Sequence, residues 1–127
     1  MNKAGLSGFL SRRIIGALVN SFKGFRNTFK YEEAFRVELI LTIFLLPAAI
    51  WLAADYLQLI LLVGALLLVL LVELLNTGIE TAVDRIGLEF HELSGRAKDA
   101  GSSAVLISLI LVVVIWGTVL WENYSSH

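Results

Sequence analysis

The apolar run over residues 57–75 constrains this chain more than any other feature, because a segment of that length is long enough to cross a bilayer as a helix. It continues directly into Glu73-Leu74-Leu75-Asn76-Thr77-Gly78-Ile79-Glu80-Thr81-Ala82-Val83-Asp84. At about 100° per residue, Glu73, Asn76, Glu80 and Asp84 stand at i, i+3, i+7 and i+11 and share one narrow helix face. An acidic residue inside a span costs roughly 2.5–3.5 kcal/mol even on a lenient scale, so Glu73 needs a reason for its place. At about 1.5 Å per residue, Glu73 lies roughly 24 Å along the helix from Leu57, and Asp84 about 40 Å. With Leu57 at one face of a hydrocarbon core about 30 Å thick, the stripe starts just inside the opposite face and ends in water. A lipid head group and a water-soluble reagent can both reach it.

Composition agrees. At 57% apolar and 17% charged residues, the 127-residue chain is too apolar for a small soluble fold and reads as one all-α membrane domain, residues 1–127. It has no cysteine, hence no disulfide and no thiolate metal site. No continuous apolar h-region followed by a small-residue cleavage site opens the chain, so no signal peptide is expected. Over about 7–30, Ile15, Leu18, Phe22, Phe25 and Phe29 step by three and four, with Arg12, Lys23, Arg26 and Lys30 on an adjoining face. That pattern predicts an amphipathic helix on the membrane surface, a bundle helix with a solvated basic side being the alternative.

Three membrane helices are expected, at about 35–54, 57–84 and 96–122. Pro47 removes a backbone donor from the first, and a bend is expected there. The connection around Asp55-Tyr56 is so short that the first two spans should form a tight antiparallel hairpin. Ser94 is the expected N-cap of the third helix, which should start near Gly95. Its opening turns carry Ala100, Gly101, Ser102, Ser103 and Ala104, small enough for close helix contact or for a ligand.

All ten basic residues precede the first span or lie between the second and third. The N-terminus and the 73–98 region are therefore expected in the cytoplasm and the C-terminus outside. Trp51, Tyr56, Trp116, Trp121 and Tyr124 should form the aromatic belt of the opposite interface. The stripe then faces the compartment that holds ATP.

Carboxylates at that boundary suit Mg²⁺, which commonly arrives with nucleotide phosphates, and the one nearer the lipid suits proton removal from a lipid hydroxyl. Lys98 and the arginines are available to balance phosphate charge. Each residue also has a structural reading. Glu38 and Glu73 can be paired between helices, Glu80 and Asp84 can be a solvated face, Lys98 and Asp99 suit an exposed first turn, and His91 can be surface decoration. No HExxH or ExxH pair, no Gly-x-x-x-x-Gly-Lys loop and no kinase Gly-rich loop is present, so phosphate transfer here must use another framework. The pattern alone leaves two other classes open, an oligomeric ion or proton pathway through Glu38 and Glu73, and a purely structural membrane protein. A continuous relay would need polar groups on the outer half, and none were found there.

The stretch from Glu73 to Glu80, Val83-Asp84-Arg85-Ile86-Gly87, and Phe90-His91-Glu92-Leu93-Ser94-Gly95-Arg96-Ala97-Lys98-Asp99 closely resemble the bacterial membrane-integral diacylglycerol kinases. The likeness extends through Glu32-Glu33-Ala34-Phe35-Arg36-Val37-Glu38 and covers nearly the whole chain. It implies a homotrimer of three-span protomers, each with a surface helix, with active sites shared between neighbours in the bacterial inner membrane. It also implies transfer of the ATP γ-phosphate to diacylglycerol, with Mg²⁺. On that resemblance Glu73 is the general base, Asn76 supports the reacting centre, and Glu32 and Glu80 hold the metal. Arg13, Asn20, Glu32, Glu80, Glu89, Phe90, His91, Lys98 and Asp99 would contact nucleotide. Arg13, Ser21, Phe22, Arg26, Phe29, Glu38, Trp51, Glu73 and Ser102 would line the lipid side. Two positions depart from the pattern: Asn20 stands where relatives often carry an aromatic residue, and Phe29 where tryptophan is common. The broader family also includes kinases of undecaprenol, an alternative lipid alcohol.

Overall fold

The computed structural model describes residues 3–125, whose regular structure is wholly helical. The helices are α1 (Lys3–Tyr31), α2 (Glu33–Leu52), α3 (Tyr56–Ile86) and α4 (Glu92–Ser125). The last three are long and apolar enough to cross a membrane. The chain divides into two units, Met1–Glu33 and Ala34–His127.

In the first unit, Leu6, Leu10, Ile14, Leu18, Phe22, Phe25 and Phe29 are exposed along α1 at steps of three and four. One helix cannot bury its own stripe, and with basic residues on the adjoining face the pattern suits a helix at a membrane surface. The Ser21 and Thr28 hydroxyls donate to the carbonyls of Ala17 and Gly24, both at 2.8 Å, which satisfies them within the helix.

The second unit is organised on α3 and α4. The buried face of α3 runs Gln58, Leu62, Ala65, Leu66, Val69, Leu70, Glu73, Asn76. On α4, Gly101, Ser108 and Val119 are buried, with Val105, Val112 and Ile115 half-buried between them. Steps of four and three on both helices give the 3.5-residue seam of supercoiled pairs. Gly101 and Ser108 are small enough to let the backbones approach.

α2 runs unbroken through Pro47 and buries Phe35, Thr42 and Ala49, one residue every two turns. Ala49 closes a cluster with Leu62 and Val119, around which Leu52, Leu59, Ile115 and Trp116 pack. The tight hairpin expected of α2 and α3 is corrected here. Among the described residues, the extended close backbone approach is between α3 and α4. A short connection fixes only where two helices meet, whereas small residues on the seam decide which pair closes along its length.

The end of the bundle near the α2–α3 turn is a polar clasp. Asp55 caps α3 by accepting from Gln58 N at 2.8 Å. The Gln58 and Asn123 amides bond reciprocally, Asn123 Nδ2 donating to Gln58 Oε1 and Gln58 Nε2 to Asn123 Oδ1, each at 3.0 Å. Asn123 Nδ2 also donates to Leu52 O at 2.8 Å, and Ala54 N donates to Gln58 Oε1 at 2.9 Å. The C-terminus of α2, the start of α3 and the end of α4 are thereby joined through side-chain amides. The expectation that this half of the spans lacks polar groups is also corrected: they are present, paired with one another.

Two further expectations change. Trp51, Tyr56, Trp121 and Tyr124 are exposed as a belt requires, but Trp116 is half-buried and donates from Nε1 to Leu62 O at 3.2 Å. Its ring packs against the Ala49–Leu62–Val119 cluster. The third span starts at Glu92 rather than Gly95, and the capping contact comes from His91, whose Nδ1 accepts from Leu93 N at 3.1 Å. An imidazole acceptor does there what Ser94 was expected to do, since any acceptor placed before the first turn meets an unpaired helix N–H.

Candidate functional site

The face that carries Glu73, Asn76, Glu80 and Asp84 continues the packing seam of α3. Glu73 is 6% exposed and Asn76 8%, while Glu80 is half-buried and Asp84 exposed. The helical period that aims Leu62 and Val69 at α4 aims Glu73 and Asn76 the same way. One helix thus carries polar groups from a dry seam to water within about three turns.

The groups are linked but not closed off. Asn76 Nδ2 donates a long hydrogen bond, 3.4 Å, to Glu80 Oε1. Asn76 Oδ1 is buried with no hydrogen-bond partner among the described residues. The same holds for Glu38 Oε2 on α2, and Glu38 lies within electrostatic reach of Glu73. Buried acceptors are nearly always paired, so two such oxygens at one end of a bundle stand out. Further toward water, Lys98 Nζ meets Asp84 Oδ1 at 2.7 Å and also feels the charge of Glu80. The α3–α4 connection adds a cavity of about 290 Å³ beside this pair, lined among others by Glu89, Phe90, His91 and Lys98.

Of the residues singled out in the sequence, the second unit brings together Glu38, Glu73, Asn76 and Glu80, and at the connection Glu89, Phe90, His91 and Lys98. Asp99 and Ser102 are exposed on the first turns of α4, one residue from Lys98 and Gly101 respectively. Trp51 is not brought in. It is 78% exposed beside Leu52, at the clasp end, and Glu73 lies roughly 22 Å up α3 from Gln58 at about 1.5 Å per residue. Arg13, Asn20, Ser21, Phe22, Arg26, Phe29 and Glu32 belong to the first unit, where Arg13, Asn20, Ser21, Phe22, Arg26 and Phe29 are exposed on α1 and Glu32 is half-buried at its end. Asp84 was expected only as part of the stripe; its ion pair with Lys98 spans the α3–α4 connection and is not legible in any local spacing. Gly101, buried opposite Asn76, was one of five small residues with nothing to single it out.

Among the described residues, no group of three or more His, Cys, Asp or Glu side chains gathers as a ready-made metal cage. The donor set still fits a hard cation. It offers carboxylate oxygen from Glu80, steadied by Asn76, and Mg²⁺ habitually takes one or two protein carboxylates and leaves its remaining positions to phosphate and water.

Three helices able to span a bilayer, with carboxylates graded along one of them from the seam to an exposed end beside a lysine and a cavity, define the class of an integral-membrane protein. The prokaryotic diacylglycerol kinase family matches residues 19–120. The diacylglycerol kinase of Escherichia coli K12 is 47% identical over 113 residues, 89% of this chain and 93% of that protein. That of Haemophilus influenzae is 45% identical over 108 residues, covering 85% and 92%, and that of Pseudomonas aeruginosa 42% over 109, covering 86% and 89%. This chain belongs to the prokaryotic diacylglycerol kinase family.

Proposed function

We propose that this chain is an ATP-dependent diacylglycerol kinase acting as a single membrane domain, residues 1–127. Family membership across most of the chain supports the reaction. The observation that carries the site is the gradient from buried Glu73 to exposed Asp84, with an orphaned acceptor between. The diacylglycerol hydroxyl attacks the γ-phosphorus, the bond from that phosphorus to the β–γ bridging oxygen breaks, and ADP and phosphatidate leave. Glu73 takes the hydroxyl proton, as a carboxylate at the edge of the apolar core and within reach of the lipid. Asn76 holds Glu80 in place from the adjoining turn. Glu80, and Glu32 on the resemblance alone, hold Mg²⁺, which when bound neutralises the phosphate oxygens.

Lys98, Asp99 and the Glu89–His91 stretch take the nucleotide, with Arg13 and Asn20. Ser21, Phe22, Arg26, Phe29, Glu38 and Ser102 line the lipid, with Arg13 again. Trp51, at the far end of its own bundle, meets only the tail of a lipid whose hydroxyl is at Glu73. The protein works as a homotrimer in the inner membrane, its N-terminus and site in the cytoplasm and its C-terminus outside. The distribution of basic residues supports that orientation.

The test is phosphate transfer from labelled ATP in mixed micelles offered diacylglycerol, undecaprenol or no lipid at matched Mg²⁺. Labelled phosphatidate, abolished in Glu73→Gln, is the expected result. Label on the polyprenol alone moves the acceptor, and no labelled lipid from well-folded protein overturns the reading.

A further inference from the structure

Among the glycines described in α3, α4 and their connection, Gly64, Gly78, Gly87, Gly95 and Gly117 face open space, so a side chain there would meet nothing. Gly101 differs. A Cβ at that position would collide with Asn76 Oδ1, come to 3.4 Å from Asn76 Cγ, and make ordinary contact with Ile79 Cδ1 at 3.6 Å. The obstruction is the end of one side chain rather than the backbone of α3. A methyl group at 101 would therefore leave the helix seam largely in place and force the amide to turn. That amide has one recorded tie, from Nδ2 to Glu80 Oε1, and at 3.4 Å it has no slack to follow a rotation. Its other atom, Oδ1, is the buried acceptor with no hydrogen-bond partner.

From these contacts we propose that Gly101 is a positioning residue: the absent side chain on α4 leaves the space that Asn76 Oδ1 occupies, and so keeps the amide in the orientation that ties its Nδ2 to Glu80. The proposal deepens the kinase reading and rests on it for the role of Glu80. The geometric half stands without it. Gly101 itself touches no reacting group, and its effect passes entirely through Asn76.

The experiment uses full-length protein in detergent micelles with two readouts. The first is the side-chain amide ¹⁵N–¹H signals of ¹⁵N-asparagine-labelled protein, without nucleotide or metal. In Gly101→Ala the Asn76 pair moves while the Asn123 pair, at the other end of α4, stays. An unmoved Asn76 pair overturns the proposal, and this result is valid even if the wild type transfers no phosphate, the outcome that sinks the kinase reading separately. The second is Mg²⁺-dependent equilibrium binding of a fluorescent ATP analogue, which needs no turnover. Gly101→Ala should weaken it about tenfold, and adding Gly101→Ala to Asn76→Ala should change it less than about twofold, because the atom it would displace is gone. A full additional loss in the double variant places the effect of Gly101 elsewhere and overturns the proposal. Should Gly101→Ala alone fail to fold, the double variant, with the obstructing amide removed, should fold; its failure to do so is likewise decisive against the proposal.

Discussion

The two ends of the α3/α4 pair spend the same kind of residue in opposite ways. At the Gln58 end, two side-chain amides bond each other, a backbone carbonyl and a backbone N–H, at 2.8–3.0 Å. At the Glu73 end, the one amide makes a single long bond and keeps a buried oxygen unpaired. Removing a polar atom from water without replacing its hydrogen bonds is unfavourable by about 1–3 kcal/mol. The first end is satisfied within the fold, and the second is the end that the proposed reaction uses. Burial does not separate them, since Gln58 and Asn76 are equally exposed at 8%. Pairing does.

The sharpest break in that symmetry is Glu73→Gln. Turnover should fall by about 10²–10⁴, the usual worth of a positioned base, while thermal unfolding in detergent hardly moves. Labelled phosphatidate and a melting curve on the same preparation read both. A large loss of stability would put Glu73 with the structural end. Glu80→Gln should raise the Mg²⁺ concentration needed for half-maximal rate more than it lowers the saturated rate, checked by a metal titration at fixed ATP; an unchanged titration removes Glu80 from the metal.

At the clasp the expectation reverses. Gln58→Ala should destabilise by about 1–3 kcal/mol, since it strands the Asn123 amide and Ala54 N, and turnover per folded molecule should stay within twofold. Equilibrium denaturation in mixed micelles, normalised for folded protein in the activity assay, decides this. Trp116→Phe, which removes the donor to Leu62 O and keeps most of the ring, should lose about 1 kcal/mol by the same measurement. The smallest effect belongs to Asn76→Ala, which should be within about 1 kcal/mol of the wild type in stability, or above it, because it deletes an unsatisfied acceptor. A clear destabilisation would mean that Oδ1 is paired after all.

Much of this was legible in the chain. Three spans and a surface helix follow from run length and periodicity, and the Glu73 face follows because a charge inside an apolar run admits few explanations. What periodicity cannot say is which neighbour a face meets. The spacing puts Glu73 and Asn76 on one face, and only the fold shows that they continue the seam that Leu62 and Val69 begin. Gly101 matters only through Asn76, twenty-five residues away, and no local pattern carries that pairing. The Trp116 bond and the capping role of His91 were not foreseen for a related reason. Each residue was assigned by the habits of its type, while its hydrogen bond depends on a carbonyl or an N–H that only the assembled backbone supplies.

α3 is a single uninterrupted helix of 31 residues, about 46 Å long, against a hydrocarbon core of about 30 Å. In the proposed orientation the Tyr56 end lies at the outer interface, and bilayer thickness would then set the height of Glu73 relative to the lipid hydroxyls. In a thin bilayer the carboxylate stands among head groups and water, and in a thick one it is drawn down among acyl chains. With no hinge in the helix, tilt and local bilayer deformation are what remain to absorb a mismatch. On the proposed mechanism, the acyl-chain length of the host lipid would then tune the reaction without touching the protein.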